Sequence, residues 1–131
     1  MELPIRLSKD SREPIYHQIE NQLKALIAGG HLVAGTPLPS IRALSNDLEI
    51  SIITTRRAYQ DLEQQGFIRT TQGKGTFVAE IADEKRQQVK ISSVYQTIEN
   101  AVDTAIQYDY SLDQIKEIFL EIIDTYRKKG E

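Results

Sequence analysis

The stretch "SIITTRRAYQDLEQQGF", Ser51 to Phe67, decides how the chain reads. At 100° per residue, Thr55, Ala58, Tyr59 and Leu62 fall within about 100° of one another on a helical wheel. They form a stripe that needs a neighbour to pack on. Ile53, Arg56, Arg57 and Gln60 fall on the opposite half, with Thr54 beside them near the N-terminus. Ser51 is the N-cap candidate, because its hydroxyl can accept an orphan N–H of the first turn. Gly66 suits the position just past the helix, where a left-handed backbone ends it.

Working backwards, Ser40 caps a short helix that carries Ile41, Leu44 and Leu48. Glu49-Ile50 then makes a tight connection, so two helices are joined by about three residues. That is the spacing of a helix-turn-helix. Before it, Pro14 opens a helix with Ile15, Ile19, Leu23, Leu26 and Ile27 at helical spacing, closed by Gly29-Gly30. Residues 1–10 read as an extended arm. "HLVAGTPLP" reads as a loop, since Pro37 and Pro39 both block regular structure. Working forwards, Phe67-Ile68 and Phe77-Val78 flank a polar "QGKG" tip, which predicts a β-hairpin. Helix, helix, hairpin is the order of a winged helix-turn-helix. The expected fold is mainly α with a small β-hairpin wing.

Composition shifts after Glu80. Ile91, Val94, Tyr95, Ile98, Val102, Ala105 and Ile106 form a helical stripe out to Tyr108. "SLDQ" is a capping box, with Ser111 as cap, Gln114 reaching back, and Tyr110 and Ile115 placed as a hydrophobic staple. Ile115, Phe119, Ile122 and Tyr126 continue the apolar face of a second helix. A two-helix hairpin this short cannot bury both faces alone. Ile98, Val102, Ile106, Ile115, Phe119 and Ile122 are therefore the expected dimerisation residues, and a two-fold homodimer is the economical partner. The first of these helices, from about Glu84 to Tyr108, is roughly 37 Å long at 1.5 Å per residue, enough to act as a spacer. The expected domains are a winged helix-turn-helix at 1–79 and the two-helix tail at 80–131.

Charge narrows the function. The chain holds 16 Lys+Arg against 19 Asp+Glu. Residues 1–80 hold 9 of each, and the acid excess lies in the tail, with 10 acidic to 7 basic residues. Residues 50–78 hold Arg56, Arg57, Arg69 and Lys74 against Asp61 and Glu63 alone. A local basic surface, not the global balance, is what attracts phosphate. Arg56 and Arg57 suit guanine O6 and N7 or a phosphate oxygen, and Ile53 a thymine methyl. Ser51 and Thr54, with the free N–H groups of the first turn, suit phosphate oxygens. Arg42 sits where the preceding helix approaches the backbone. Lys74 stands at the wing tip between Gly73 and Gly75, which permit turn dihedrals. The other reading of the same face is a solvated helix surface, or a protein–protein interaction module that meets an acidic partner.

With no cysteine, the chain has no disulfide and no thiolate metal site. His17 and His31 are too far apart in sequence to suggest a metal pair, and no triad, HExxH or P-loop pattern stands out. No enzyme activity, metal or cofactor is expected. No apolar run approaches the ~18 residues of a membrane span, and the N-terminus lacks a signal-peptide core, so a cytoplasmic location is the default.

The segment "GTPLPSIRALSNDLEISIITTRRAYQDLEQQGFIRTTQGKGTFV" resembles the winged-helix domain of GntR-family transcriptional regulators. Gly35, Leu38, Pro39, Ser40, Arg42 and Leu44 match the first part of the family pattern. Leu62, Gly66 and Phe67 match the end of its recognition helix. Gly73, Gly75, Thr76, Phe77 and Val78 match its wing, and "PIYHQI" at 14–19 its opening helix. The short two-helix tail is similar to that of the YtrA-like subfamily. The resemblance implies a repressor that binds operator DNA through Arg42, Thr54, Arg56, Gly73 and Lys74. It suggests a transport operon as target, and the expected two-fold dimer fits a palindromic operator. It names no effector. Many family members carry a base-reading Arg where this chain has Ile52, so either Arg57 substitutes or the preferred site differs.

Overall fold

A computed structural model of the chain describes residues 3–130. Met1 and Glu2 of the expected arm and Glu131 of the expected tail lie outside the described residues. Five helices and three short strands follow in order: α1 Ile15–Ala28, β1 Pro37–Leu38, α2 Ile41–Leu48, α3 Ile52–Gln64, β2 Ile68–Thr71, β3 Gly75–Val78, α4 Asp83–Gln107 and α5 Leu112–Gly130. The chain divides into two compact units, Met1–Lys90 and Ile91–Glu131.

In the first unit, the caps lie where the sequence placed them. Ser40 Oγ accepts the Ala43 N–H at 3.0 Å and Ser51 Oγ accepts the Thr54 N–H at 3.2 Å, each satisfying a donor that the helix itself leaves free. Gly66 takes φ +87°, a conformation that costs glycine little, and Phe67 N–H reaches back to the Leu62 carbonyl. Between α2 and α3 lie only Glu49, Ile50 and Ser51, with Glu49 left-handed at φ 57°.

The expected stripe of α3 is the buried one. Thr55, Ala58 and Leu62 are fully buried and Tyr59 nearly so. They pack among Ile19, Leu23 and Ile27 of α1, Leu44 of α2, and Phe67, Ile68 and Val78 of the wing. Fully burying an aliphatic side chain of this size is worth about 1.5–3 kcal/mol. The polar atoms of the stripe are paired: Thr55 and Ser45 share a buried hydrogen bond of 2.8 Å, and the Tyr59 hydroxyl donates to the Pro39 carbonyl at 2.7 Å. These bonds fix the angle between the two helices of the motif, because slippage strands a buried hydroxyl.

Two sequence readings are corrected here. "HLVAGTPLP" is not all loop, since Pro37 and Leu38 form a third strand, and the sheet order is β1-β3-β2, antiparallel throughout. Proline is tolerated because β1 is an edge strand and Pro37 is its first residue, so no ladder N–H is lost there. The N-terminal arm is more than extended chain. Ile5 lies in the core, with Leu3 and Leu7 packed against it. Gln18 and Gln22 of α1 each bond the arm backbone twice over, at Ser8 and Arg6, by donating to the carbonyl and accepting from the N–H.

One charged group is buried between α1 and α3. Glu20 is 4% exposed, and its Oε1 has no hydrogen-bond partner among the described residues. Burial, then the hydrogen bond and charge of Asp61, push its carboxyl up to about 7, against weaker opposing effects of Lys24 and His17. The folded state thus holds a proton that the unfolded chain releases. That contribution to stability is fully present below about pH 4.5 and is lost as pH rises through about 7. Glu20→Gln, which keeps a donor toward Asp61, is expected to be more stable than the wild type by about 2 kcal/mol at pH 8. At pH 4 the two should unfold at nearly the same urea concentration. Equal stability at pH 8 would contradict this account of the pair.

In the second unit, the capping box forms as the sequence implied: Ser111 N–H donates to Gln114 Oε1 at 2.8 Å, and Gln114 N–H donates to Ser111 Oγ at 3.1 Å. Asp109, left-handed at φ 65°, ends α4, and the Tyr110 N–H closes the turn onto the Ala105 carbonyl. No helix among the described residues is long and apolar enough to cross a membrane.

Candidate nucleic-acid interface

The site is built from the N-terminal half of α3, the front of α2 and the tip of the wing. Ile53 is 76% exposed, and Arg56 is exposed one turn further on. Arg56 has no ion pair or aromatic contact among the described residues, so its fork is free to reach outward. Ile52 is also open, at 38%. Ser51 and Thr54 hold each other, with their hydroxyl oxygens 2.8 Å apart, so the cap and the first turn are one ordered patch. Arg42 is exposed on the first turn of α2.

The wing is a four-residue pairing, from Ile68 opposite Val78 to Thr71 opposite Gly75. Gly73 at φ 79° and Gly75 at φ 112° flank Lys74, whose N–H donates to the Thr71 carbonyl at 3.0 Å. A side chain at either glycine would strain the turn. Lys74 is exposed at the tip. Arg69 joins this surface although its position in the sequence did not single it out. It lies on β2 with its guanidinium 5.4 Å from the Phe77 ring centre, and it donates to Thr71 Oγ1 at 3.2 Å.

Arg57 lies on the outward half beside Arg56, as the wheel expects, with its side chain 61% exposed, but it is not free. The structure lays its guanidinium 3.8 Å from the centre of the Tyr16 ring on α1, with Nε 4.0 Å from Asp61 Oδ2. A helix turns about 140° between positions 52 and 57, so Arg57 does not take the place of an Arg at Ile52. The wheel missed this because Tyr16 is 41 residues upstream and only the packing of α1 on α3 brings it near.

A second exposed surface lies in the tail unit. Ile98 and Ile106 of α4 are 48% exposed and Ile122 of α5 is 47% exposed. Val102 and Phe119 are partly buried. Ile115 departs from the expectation, since it is buried and so is not available to a partner. A shallow concavity of about 650 Å³ on α4 is lined by Val94, Tyr95, Ile98, Glu99, Val102 and Asp103. Among the described residues, no cluster of His, Cys, Asp or Glu gathers to hold a metal ion.

The family model for bacterial regulatory proteins of the gntR family matches residues 15–78, from the start of α1 to the end of β3. The HTH-type transcriptional repressor YtrA of Bacillus subtilis is 30% identical over 118 residues, spanning 90% of this chain and 91% of that protein. This chain belongs to the GntR family. Among solved structures, a GntR family transcriptional regulator from Listeria monocytogenes is similar with a TM-score of 0.69 at 30% identity, covering 86% of this chain and 97% of that one. YtrA from Sulfolobus acidocaldarius, a GntR-family transcription factor, gives a TM-score of 0.56 at 35% identity, over 70% and 97% of the two chains. The likeness to the Bacillus YtrA runs through the tail as well as the winged domain, which makes this a GntR regulator of the YtrA-like kind. Its family and relatives are transcriptional regulators, not enzymes.

Lys74, exposed between two glycines at the wing tip, is placed where the sequence reading expects a phosphate contact. Lys74→Ala is expected to weaken specific and random duplex alike and to flatten the salt dependence by about one unit. Equilibrium binding at several salt concentrations measures both. Loss confined to the specific site would mean that Lys74 reads bases.

Proposed function

We propose that this GntR-family regulator is a homodimeric repressor that places one α3 in each half of a palindromic operator. The observation that carries the DNA-binding part is the first turn of α3. A capped helix end presents free N–H groups, Thr54, Ile53 and Arg56 together, on a rigid motif whose buried stripe leaves that face no other partner. Arg42 and Ser51 would meet phosphate on one side, and Gly73 and Lys74 on the other. The open apolar positions Ile98, Ile106 and Ile122 support the dimer, since apolar residues clustered on a monomer's surface mark an interaction site. The repressor reading is supported by the Bacillus relative YtrA, a transcriptional repressor. A transport operon is the first target to examine, as the YtrA-like resemblance implies.

Salt titration on duplex DNA tests the reading. A DNA-binding surface loses affinity steeply with salt, at nearly one unit of slope per phosphate contact. Affinity that stays flat with salt on every duplex would favour the other use of this face, binding an acidic protein partner.

A further inference from the structure

Two arginines stand side by side on α3, and the structure treats them differently. Arg56 is untethered. Arg57 is held on two sides, its flat face on the Tyr16 ring at 3.8 Å and its Nε edge toward Asp61 at 4.0 Å. Tyr16 is itself half-buried and packed against the core, so the ring is a fixed platform. A guanidinium has five N–H donors in one plane. Stacking uses the face of that plane and none of the donors. Asp61 lies toward one of them. The four terminal N–H groups on Nη1 and Nη2 have no protein hydrogen bond among the described residues.

A flat fork with fixed orientation and its Nη1–Nη2 edge free matches the geometry of a phosphate group, which arginine binds bidentately. It does not match a base reader, which must reach into the groove. Resting on the DNA-binding reading above, we propose that Arg57 is a backbone-phosphate fork and that Tyr16, outside the helix-turn-helix, is its positioning residue. The stack orders the Arg57 side chain before DNA arrives. Ordering a long side chain on binding costs about 0.5–1.5 kcal/mol, so losing the platform corresponds to about 2- to 12-fold in affinity. The neighbouring Arg56 is left free to discriminate bases.

The experiment compares affinity for operator and random duplex across salt concentrations. Arg57→Ala should weaken both equally and reduce the salt slope by about one. Tyr16→Phe keeps the ring and should bind as the wild type does. Tyr16→Leu should lose about 2- to 12-fold on both duplexes, and adding it to Arg57→Ala should cost nothing more. Arg57→Lys, with Tyr16 intact, keeps charge but not the flat fork, and should retain the salt slope while losing affinity. That variant carries the test if Tyr16→Leu fails to fold. Arg57→Lys binding like the wild type would overturn the proposal. So would losses that add in the double variant, or an Arg57→Ala that lowers operator binding alone. A wild-type chain that bound no duplex would instead overturn the DNA-binding reading, and this proposal with it.

Discussion

Ile98→Asp combined with Ile122→Asp is expected to turn the proposed dimer into a monomer and to lower operator affinity by about 100-fold or more. Both side chains are about half exposed in the single chain, so the exchange leaves the fold of each unit intact. In a dimer interface the same two positions lose contact with water. A carboxylate there is unpaired and desolvated, which is strongly destabilising. The effect on DNA follows from valence. Two linked recognition helices bind as one, and separating them forfeits an effective concentration worth about 10²–10⁴ in affinity. Sedimentation reads the mass, and titration of the operator reads the affinity. Circular dichroism on the same samples checks that the helices persist. A doubly substituted chain that stays dimeric, or that stays monomeric at full operator affinity, would contradict the assignment of the tail.

Arg56→Ala is expected to cost roughly 1–3 kcal/mol of specific binding while random duplex is affected less. Its side chain is open and without a partner among the described residues, so thermal stability should move by no more than about 0.5 kcal/mol. A discrimination ratio that does not change would remove Arg56 from base reading. Ile52 and Ile53 stand exposed in the first turn of α3, so a thymine methyl near the proposed arginine contact is the expected preference. An operator with thymine replaced by uracil at that step tests the isoleucines directly.

What could be read in the sequence follows the range of the interaction concerned. The buried stripe of α3, the serine caps at Ser40 and Ser51, the left-handed Gly66 and the Ser111–Gln114 box are all local. Each depends on residues within one or two turns, and each was legible. The glycines of the wing were legible for the same reason. The strand at Pro37–Leu38 was hidden because proline argues against strands in general, and only the sheet order reveals that this one is an edge. The Arg57–Tyr16 stack and the Glu20–Asp61 pair were out of reach, because both join α1 to α3 across some forty residues. Periodicity can say that Arg57 points away from the stripe, but not that another helix waits there. Ile115 illustrates the reverse error, since its place on the α5 wheel suggested an outward contact and the structure buries it.

On the proposed reading, two copies of this chain read two halves of one operator through α3. The most direct measurement is a footprint on the promoter of the protein's own gene, paired with the mass of the complex in solution. Two protected half-sites are expected on one face of the duplex, with centres about 34–36 Å apart or a multiple of that, and two chains per duplex. A single protected half-site occupied by one chain would contradict it.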